Sequence, residues 1–183
     1  MNREKIFLWA FAIFFQAAMV IIAQAIVYYS QNKNLIAAIL PENINIALIQ
    51  GLTLGIVIYL VIFSCYKAIE SFRIWSRKVV MPMLKSFDPQ LLLAMGVLAG
   101  VSEELLFRGA LQPIIGIIAA SLLFGLVHYY GKKELLLYGV IATLMGLIMG
   151  AAYIYTGEIV VAILAHSSYN FLVIKSYQLG IFS

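Results

Sequence analysis

Long apolar runs separated by short polar interruptions dominate this chain, a pattern of helices that cross a bilayer. Windows close to the roughly 20 apolar residues needed to span the hydrocarbon run from Ile6 to Tyr29, Ile44 to Tyr66, Gln90 to Leu111, Ile114 to Tyr130, Leu135 to Tyr155 and Ile159 to Ile174. They predict an all-α fold, a polytopic membrane helix bundle of about six transmembrane helices. The fourth and sixth windows are short, and Gln112, Pro113 and Gly116 interrupt the boundary between the third and fourth. A re-entrant break is therefore expected near 110–117. The segment near 67–87 mixes basic residues with Phe72, Ile74, Trp75, Val79 and Leu84, which suits an interfacial helix lying against anionic lipid.

Composition places the chain firmly in lipid. Of 183 residues 64% are hydrophobic and only 11% charged, with a mean hydropathy of +1.01, whereas soluble domains carry about 25% charged residues. No Gly/Ser-rich or Pro-rich linker divides it, so a single transmembrane domain, 1–183, is expected, with N-terminal helices and a basic segment in 1–88 and a catalytic helical core in 89–175. The single Cys65 cannot form an internal disulfide. Arg3 and Lys5 before the first apolar run, and Ala23-Gln24-Ala25 near its end, resemble a signal peptide, but the run is long enough to read as a signal anchor.

Basic residues set the expected orientation. The N-terminus, the Lys67 to Lys85 segment, Lys132 with Lys133, and Lys175 fall on one side of six alternating helices, and Lys33 on the other. The positive-inside rule then puts both termini in the cytoplasm of a multi-pass protein of the cell membrane. The pI of about 9.2 thus reports orientation, and no nucleic-acid partner is expected beside the bilayer. Gly51/Gly55, Gly96/Gly100 and Gly146/Gly150 form Gly-x-x-x-Gly pairs that read as helix-packing seams. Trp9, Tyr28, Tyr29, Tyr66, Trp75, Tyr129, Tyr130 and Tyr155, near segment ends, fit aromatic belts. Oligomeric state is not legible.

Chemistry concentrates in a few polar residues. Glu103, Glu104 and Arg108 lie inside the otherwise apolar run from Leu91 to Leu111, where a central charge costs roughly 2.5–3.5 kcal/mol and persists only if it pairs, lines a wet cavity or reacts. Glu104 and Arg108 are four apart and share a helix face, while Glu103 is turned about 100° away and needs another partner. The two histidines, His128 and His166, are each within an apolar run, with Phe124 and Asn170 one turn away. One carboxylate, two imidazoles and a carboxamide on three helices are the parts needed to activate a water and hold an oxyanion, which makes hydrolysis the natural reaction class. Asp88 is the only aspartate and no H-E-x-x-H or G-x-S-x-G string occurs, so a glutamate and histidine chemistry is what remains.

At these residues the sequence resembles a known family. Glu103-Glu104-x-x-x-Arg108, Phe124-x-x-x-His128 and His166-x-x-x-Asn170, in that order on successive helices, look like the three motifs of the CPBP family of CAAX prenyl endopeptidases, bacteriocin-processing enzymes and Abi proteins. The resemblance spans roughly residues 90 to 175. It implies a polytopic intramembrane endopeptidase acting on a peptide or protein substrate: membrane-associated, prenylated CAAX-type or a peptide precursor. Carried over position by position, Glu103 and His128 would activate the water, His166 and Asn170 would stabilise the oxyanion, and Glu104, Arg108 and Phe124 would support them. Glu103, His128 and His166 could alternatively hold a catalytic Zn2+, as His₂Glu sites do, and a metal-free scheme stands beside it.

Three readings compete: the endopeptidase, a non-proteolytic membrane adaptor or bacteriocin-immunity protein on the same scaffold, and a proton-coupled transporter, which the lack of internal repeats disfavours. One geometric demand is built into the first. Glu103 lies roughly 20 Å along the third helix from Gln90, and His128 only a few residues from the end of the fourth. A re-entrant stretch around Gln112 to Gly116, together with a fourth helix continuing past Gly131, is expected to bring them to one depth.

Overall fold

A computed structural model of the chain describes residues 3–32, 34–35, 39–129 and 131–182. Its helices are α1 (Arg3–Gln31), α2 (Ile44–Ala68), α3 (Glu70–Trp75), α4 (Met81–Lys85), α5 (Pro89–Glu104), α6 (Gln112–Tyr129), α7 (Leu136–Thr156) and α8 (Ile159–Gln178). π-helical turns join α3 to α4 at Ser76–Val80 and α5 to α6 at Leu105–Leu111. Lys33 and Tyr130, used above for topology and the aromatic belt, lie outside the described residues. The described chain contains no strand, and five stretches are long and apolar enough to cross a membrane. The fold is an all-α polytopic membrane bundle.

The third of those stretches, Pro89–Tyr129, is 41 residues long. As one straight helix it would extend about 60 Å, twice the roughly 30 Å of hydrocarbon. It breaks instead at Gly116, whose φ of 81° and ψ of 163° lie in a region open essentially to glycine alone. Beyond it the chain doubles back: the Phe107 and Phe124 rings meet edge to face at 5.0 Å, and Arg108 Nη1 donates to Ser121 Oγ at 3.3 Å. The third and fourth sequence windows are thus two arms of a hairpin with its break where the Gln112 to Gly116 punctuation stands. Its second arm covers only about 20 Å at the α-helical rise.

One expectation is corrected here. The fourth helix does not continue past Gly131; α6 ends at Tyr129, Gly131 turns the chain with a φ of 69°, and Lys132 N donates to Tyr129 O at 3.3 Å. Continuation is unnecessary because Glu103 and His128 stand almost equally far along the chain from Gly116, so the hairpin alone brings them level. The α3–α4 segment contributes Phe72, Trp75, Met81 and Leu84 to the wall of the cavity that α5 also lines, and Trp75 Nε1 donates to Glu134 O at 3.0 Å. Asp88 caps the N-terminal end of α5, its Oδ1 accepting from Gln90 N at 3.1 Å and Leu91 N at 3.2 Å, with Pro89 pre-set for the first turn.

Helix α8 sits centrally, packed against α2, α5 and α7. Glycines make this possible, since helices in lipid associate through close packing rather than through exclusion of water. A Cβ on Gly51 would lie 2.6 Å from Leu164 Cβ, and one on Gly100 would lie 2.6 Å from Ser167 N. Gly146 backs onto Ser121 and the Arg108 guanidinium. All three Gly-x-x-x-Gly pairs are therefore seams within this one chain. Phe7, Phe14, Ile21 and Leu122 are among the large apolar side chains left outward-facing, as expected where the solvent is lipid.

Candidate active site

The close approach of α5 to α8 at Gly100 sets the next turn of α5 against His166. Glu104, wholly buried, is the hub. Its Oε1 accepts from His166 Nδ1 at 2.8 Å, and its Oε2 lies 3.3 Å from Arg108 Nε, out of line for a hydrogen bond and so held by charge. Arg108, equally buried, donates from Nη1 to Gln112 Oε1 at 3.2 Å and to Ser121 Oγ at 3.3 Å. Gln112 passes the network on, its Nε2 donating to Gly150 O at 3.1 Å. The guanidinium also lies 5.9 and 5.6 Å from the Phe107 and Phe124 ring centres, so one cation ties both arms of the hairpin to α7. The pairing begins at a π-helical turn, a local widening that often accompanies functional residues.

Glu103 points elsewhere. Its Oε2 lies 3.9 Å from His128 Nε2 and 3.9 Å from His166 Nε2. Both separations are too long for a direct hydrogen bond and short enough for one water to bridge. The second nitrogen of each ring is committed: His128 Nδ1 donates to Phe124 O at 2.7 Å, and His166 Nδ1 to the Glu104 carboxylate. Each Nδ1 is thereby occupied, and Nε2 is the nitrogen turned toward Glu103. Phe124 packs on both imidazoles, with ring centres 4.4 Å from His128 and 5.9 Å from His166.

Asn170, one turn beyond His166, donates from Nδ2 to Gly96 O at 2.8 Å. That bond uses one of its two amide hydrogens and lays the carboxamide along the same cavity that Glu103, His128 and His166 line. The cavity has a volume of about 340 Å³ and runs from these four residues to Trp75, Met81 and Leu84 of the α3–α4 segment. Its lining combines these polar groups with apolar side chains such as Leu92, Met95 and Val173, an arrangement that can admit an extended apolar ligand beside the polar cluster.

Three ligands of a tetrahedral zinc ion at about 2.1 Å would stand roughly 3.4 Å from one another. Both Glu103 to imidazole distances exceed that, and among the described residues no group of three His, Cys, Asp or Glu is gathered to hold a metal ion. Glu103, His128 and His166 do not fit a zinc cage in this arrangement.

The structure brings all seven sequence-derived residues into one assembly and adds four that the sequence reading passed over. Gln112, taken as a helix breaker, holds Arg108, and Ser121 does the same from the opposite arm. Ser102, beside Glu103, donates through Oγ to Gln16 Oε1 of α1, and Gln16 lines the cavity. The legible signal for Gln16 was a carboxamide near the middle of the Ile6 to Tyr29 span, whose only other carboxamide is that of Gln24.

Residues 85–172 match the family model described as Rce1-like, type II CAAX prenyl endopeptidase Rce1-like. A curated relative, the uncharacterized protein YpbD of Bacillus subtilis (strain 168), is 37% identical over 70 residues, which are 38% of this chain and 36% of that protein. The chain therefore matches only about a third of that relative's length. No solved structure gives a match. The family match encloses Glu103, His128, His166 and Asn170 together, so the part of the chain that carries the candidate site is the part similar to the Rce1-like type II CAAX prenyl endopeptidases.

Proposed function

We propose that the protein is an intramembrane endopeptidase that hydrolyses a peptide bond with a water held between Glu103, His128 and His166. The observation that carries this reading is the pair of equal 3.9 Å gaps from Glu103 Oε2 to two imidazoles whose other nitrogens are already committed. Glu103 takes a proton from the water while His128 Nε2 orients it, and the water oxygen adds to the scissile carbonyl carbon. The resulting oxyanion accepts from the second Asn170 amide hydrogen and from His166 Nε2–H. His166 carries that second proton against the Glu104 carboxylate, much as a buried carboxylate stabilises an imidazolium in hydrolytic triads. Collapse breaks the C–N bond, and Glu103 returns its proton to the leaving amine.

In this reading residues 89–175 are the catalytic core of a single domain, and 1–88 supply an outer wall and the basic segment. The excess of Lys and Arg on one side favours cytoplasmic termini and a cavity that opens toward the cytoplasm. Substrates are membrane-associated, prenylated or precursor peptides delivered in extended form along the apolar wall.

The test is cleavage of an internally quenched apolar peptide by purified protein in detergent. Glu103→Gln is expected to lower kcat roughly a thousandfold while the protein elutes and melts as wild type does. A cleavage rate unchanged by Glu103→Gln would end the proposal.

A further inference from the structure

A polar side chain on α1, outside the segment matched by the family, reaches the candidate site. Gln16 stands near the middle of the 29-residue α1, where a carboxamide facing lipid would be costly. It faces the protein instead and lines the cavity with Glu103, His166 and Asn170. Its Oε1 accepts from Ser102 Oγ, and Ser102 is the residue immediately before Glu103. Ser102 is itself fixed, with Oγ also 3.2 Å from Leu98 O. With Oε1 so held, the amide Nε2 is the end of Gln16 that makes no hydrogen bond among the described residues, and it is not among the sealed, unpartnered atoms of the interior. A partly open, oriented N–H donor in the cavity that Glu103 also lines matches a peptide carbonyl oxygen.

We propose that Gln16 is a substrate-positioning residue whose Nε2–H donates to a backbone carbonyl of the bound peptide, with Ser102 setting its orientation. This rests on the endopeptidase reading and extends it, making α1 part of the substrate groove. The contact selects an extended peptide strand rather than any one side chain, because the group it recognises is present in every residue.

The test measures binding of an apolar peptidyl phosphonamidate, a stable mimic of the tetrahedral intermediate, to the full chain in detergent. The readout is quenching of Trp75, which lines the same cavity, in a Trp9→Phe background. Gln16→Leu keeps the bulk and removes the donor, and is expected to weaken binding about 5- to 10-fold. Gln16→Glu, which keeps an acceptor but no donor, should weaken it at least as much, and Ser102→Ala should fall between Gln16→Leu and wild type. In cleavage of the quenched peptide, Gln16→Leu should raise KM by a similar factor, whereas a residue that only glues α1 to α5 would lower the melting temperature and leave KM alone. Wild-type affinity in Gln16→Leu, with binding still altered by Glu103→Gln, would overturn this inference and leave the endopeptidase reading standing. No saturable binding or cleavage of the probes by wild type would overturn both.

Discussion

Adjacent glutamates in this chain are expected to fail in opposite ways. Glu104 is wholly buried and receives both His166 and Arg108, so Glu104→Gln leaves a buried guanidinium facing only Gln112 and Ser121. Removing one partner of a buried ion pair costs about 3–5 kcal/mol, and at this chain length each kcal/mol corresponds to about 2–4 °C. A drop on the order of 10 °C in melting temperature follows, with cleavage impaired as well because His166 loses its orienting carboxylate. Glu103 makes no direct protein hydrogen bond among the described residues and faces its imidazoles across 3.9 Å gaps. Glu103→Gln should therefore abolish cleavage and leave the melting temperature within a few degrees, or raise it, as groups kept for reactivity rather than packing often do. The double variant Glu104→Leu/Arg108→Met should recover much of the lost stability without recovering activity. Melting in detergent, followed by loss of monodisperse protein on heating, reads all three. Equal destabilisation by Glu103→Gln and Glu104→Gln would refute the division of labour and favour the adaptor reading, in which the polar cluster only holds helices together.

The hairpin and the periphery offer simpler tests. Gly116→Ala puts a Cβ on a residue at φ 81° and should cost about 1–3 kcal/mol through backbone strain alone, since no neighbouring atom lies within 4 Å of the added carbon; a neutral outcome in thermal melting would deny that this break is fixed. The Lys5 ammonium, with the Leu91 and Gln90 amides, holds the Asp88 carboxyl below its ordinary value. A carboxyl depressed on folding contributes fully above its unfolded pKa of about 3.9 and loses that contribution as pH falls through the lowered value. Melting temperature should therefore decline in acid below about pH 4, and Asp88→Asn, which keeps the cap, should flatten that limb. Because the donor spacing does not suit zinc, cleavage should survive prolonged chelation, with no stoichiometric metal on elemental analysis; loss on chelation and recovery with zinc would overturn that geometric argument.

The architecture was largely legible because lipid imposes a strong filter. A run of apolar residues long enough to cross hydrocarbon has few alternatives to helix, and all six windows correspond to helical segments in the structure. What the linear pattern could not carry was depth. The relative level of Glu103 and His128 depends on how far the chain reverses, and although Gln112, Pro113 and Gly116 marked a break, the full reversal that the positive φ of Gly116 makes is set by how the two arms pack. The expectation that α6 would run past Gly131 was a repair for a mismatch that the hairpin removes.

Site membership was legible for charged and imidazole groups and poorly so for amides and hydroxyls, and the reason is energetic. A carboxylate in hydrocarbon is too costly to be incidental, so Glu103 and Glu104 announce themselves from sequence. A glutamine or serine in a membrane helix costs far less and commonly serves to join helices, so Gln16, Ser102, Gln112 and Ser121 carried no comparable signal. Gln112 and Ser121 flank the turn that a guanidinium must bridge, and Arg108 holds the hairpin shut only because both arms supply an oxygen to it. A second consequence concerns charge. In the proposed reaction Glu104 stays paired with Arg108, so the proton taken from the water would be handled by Glu103, His128 and His166. A peptide bond cleaved by water needs one proton removed and one delivered, and a mobile proton confined to three groups around one solvent position is what such a reaction requires.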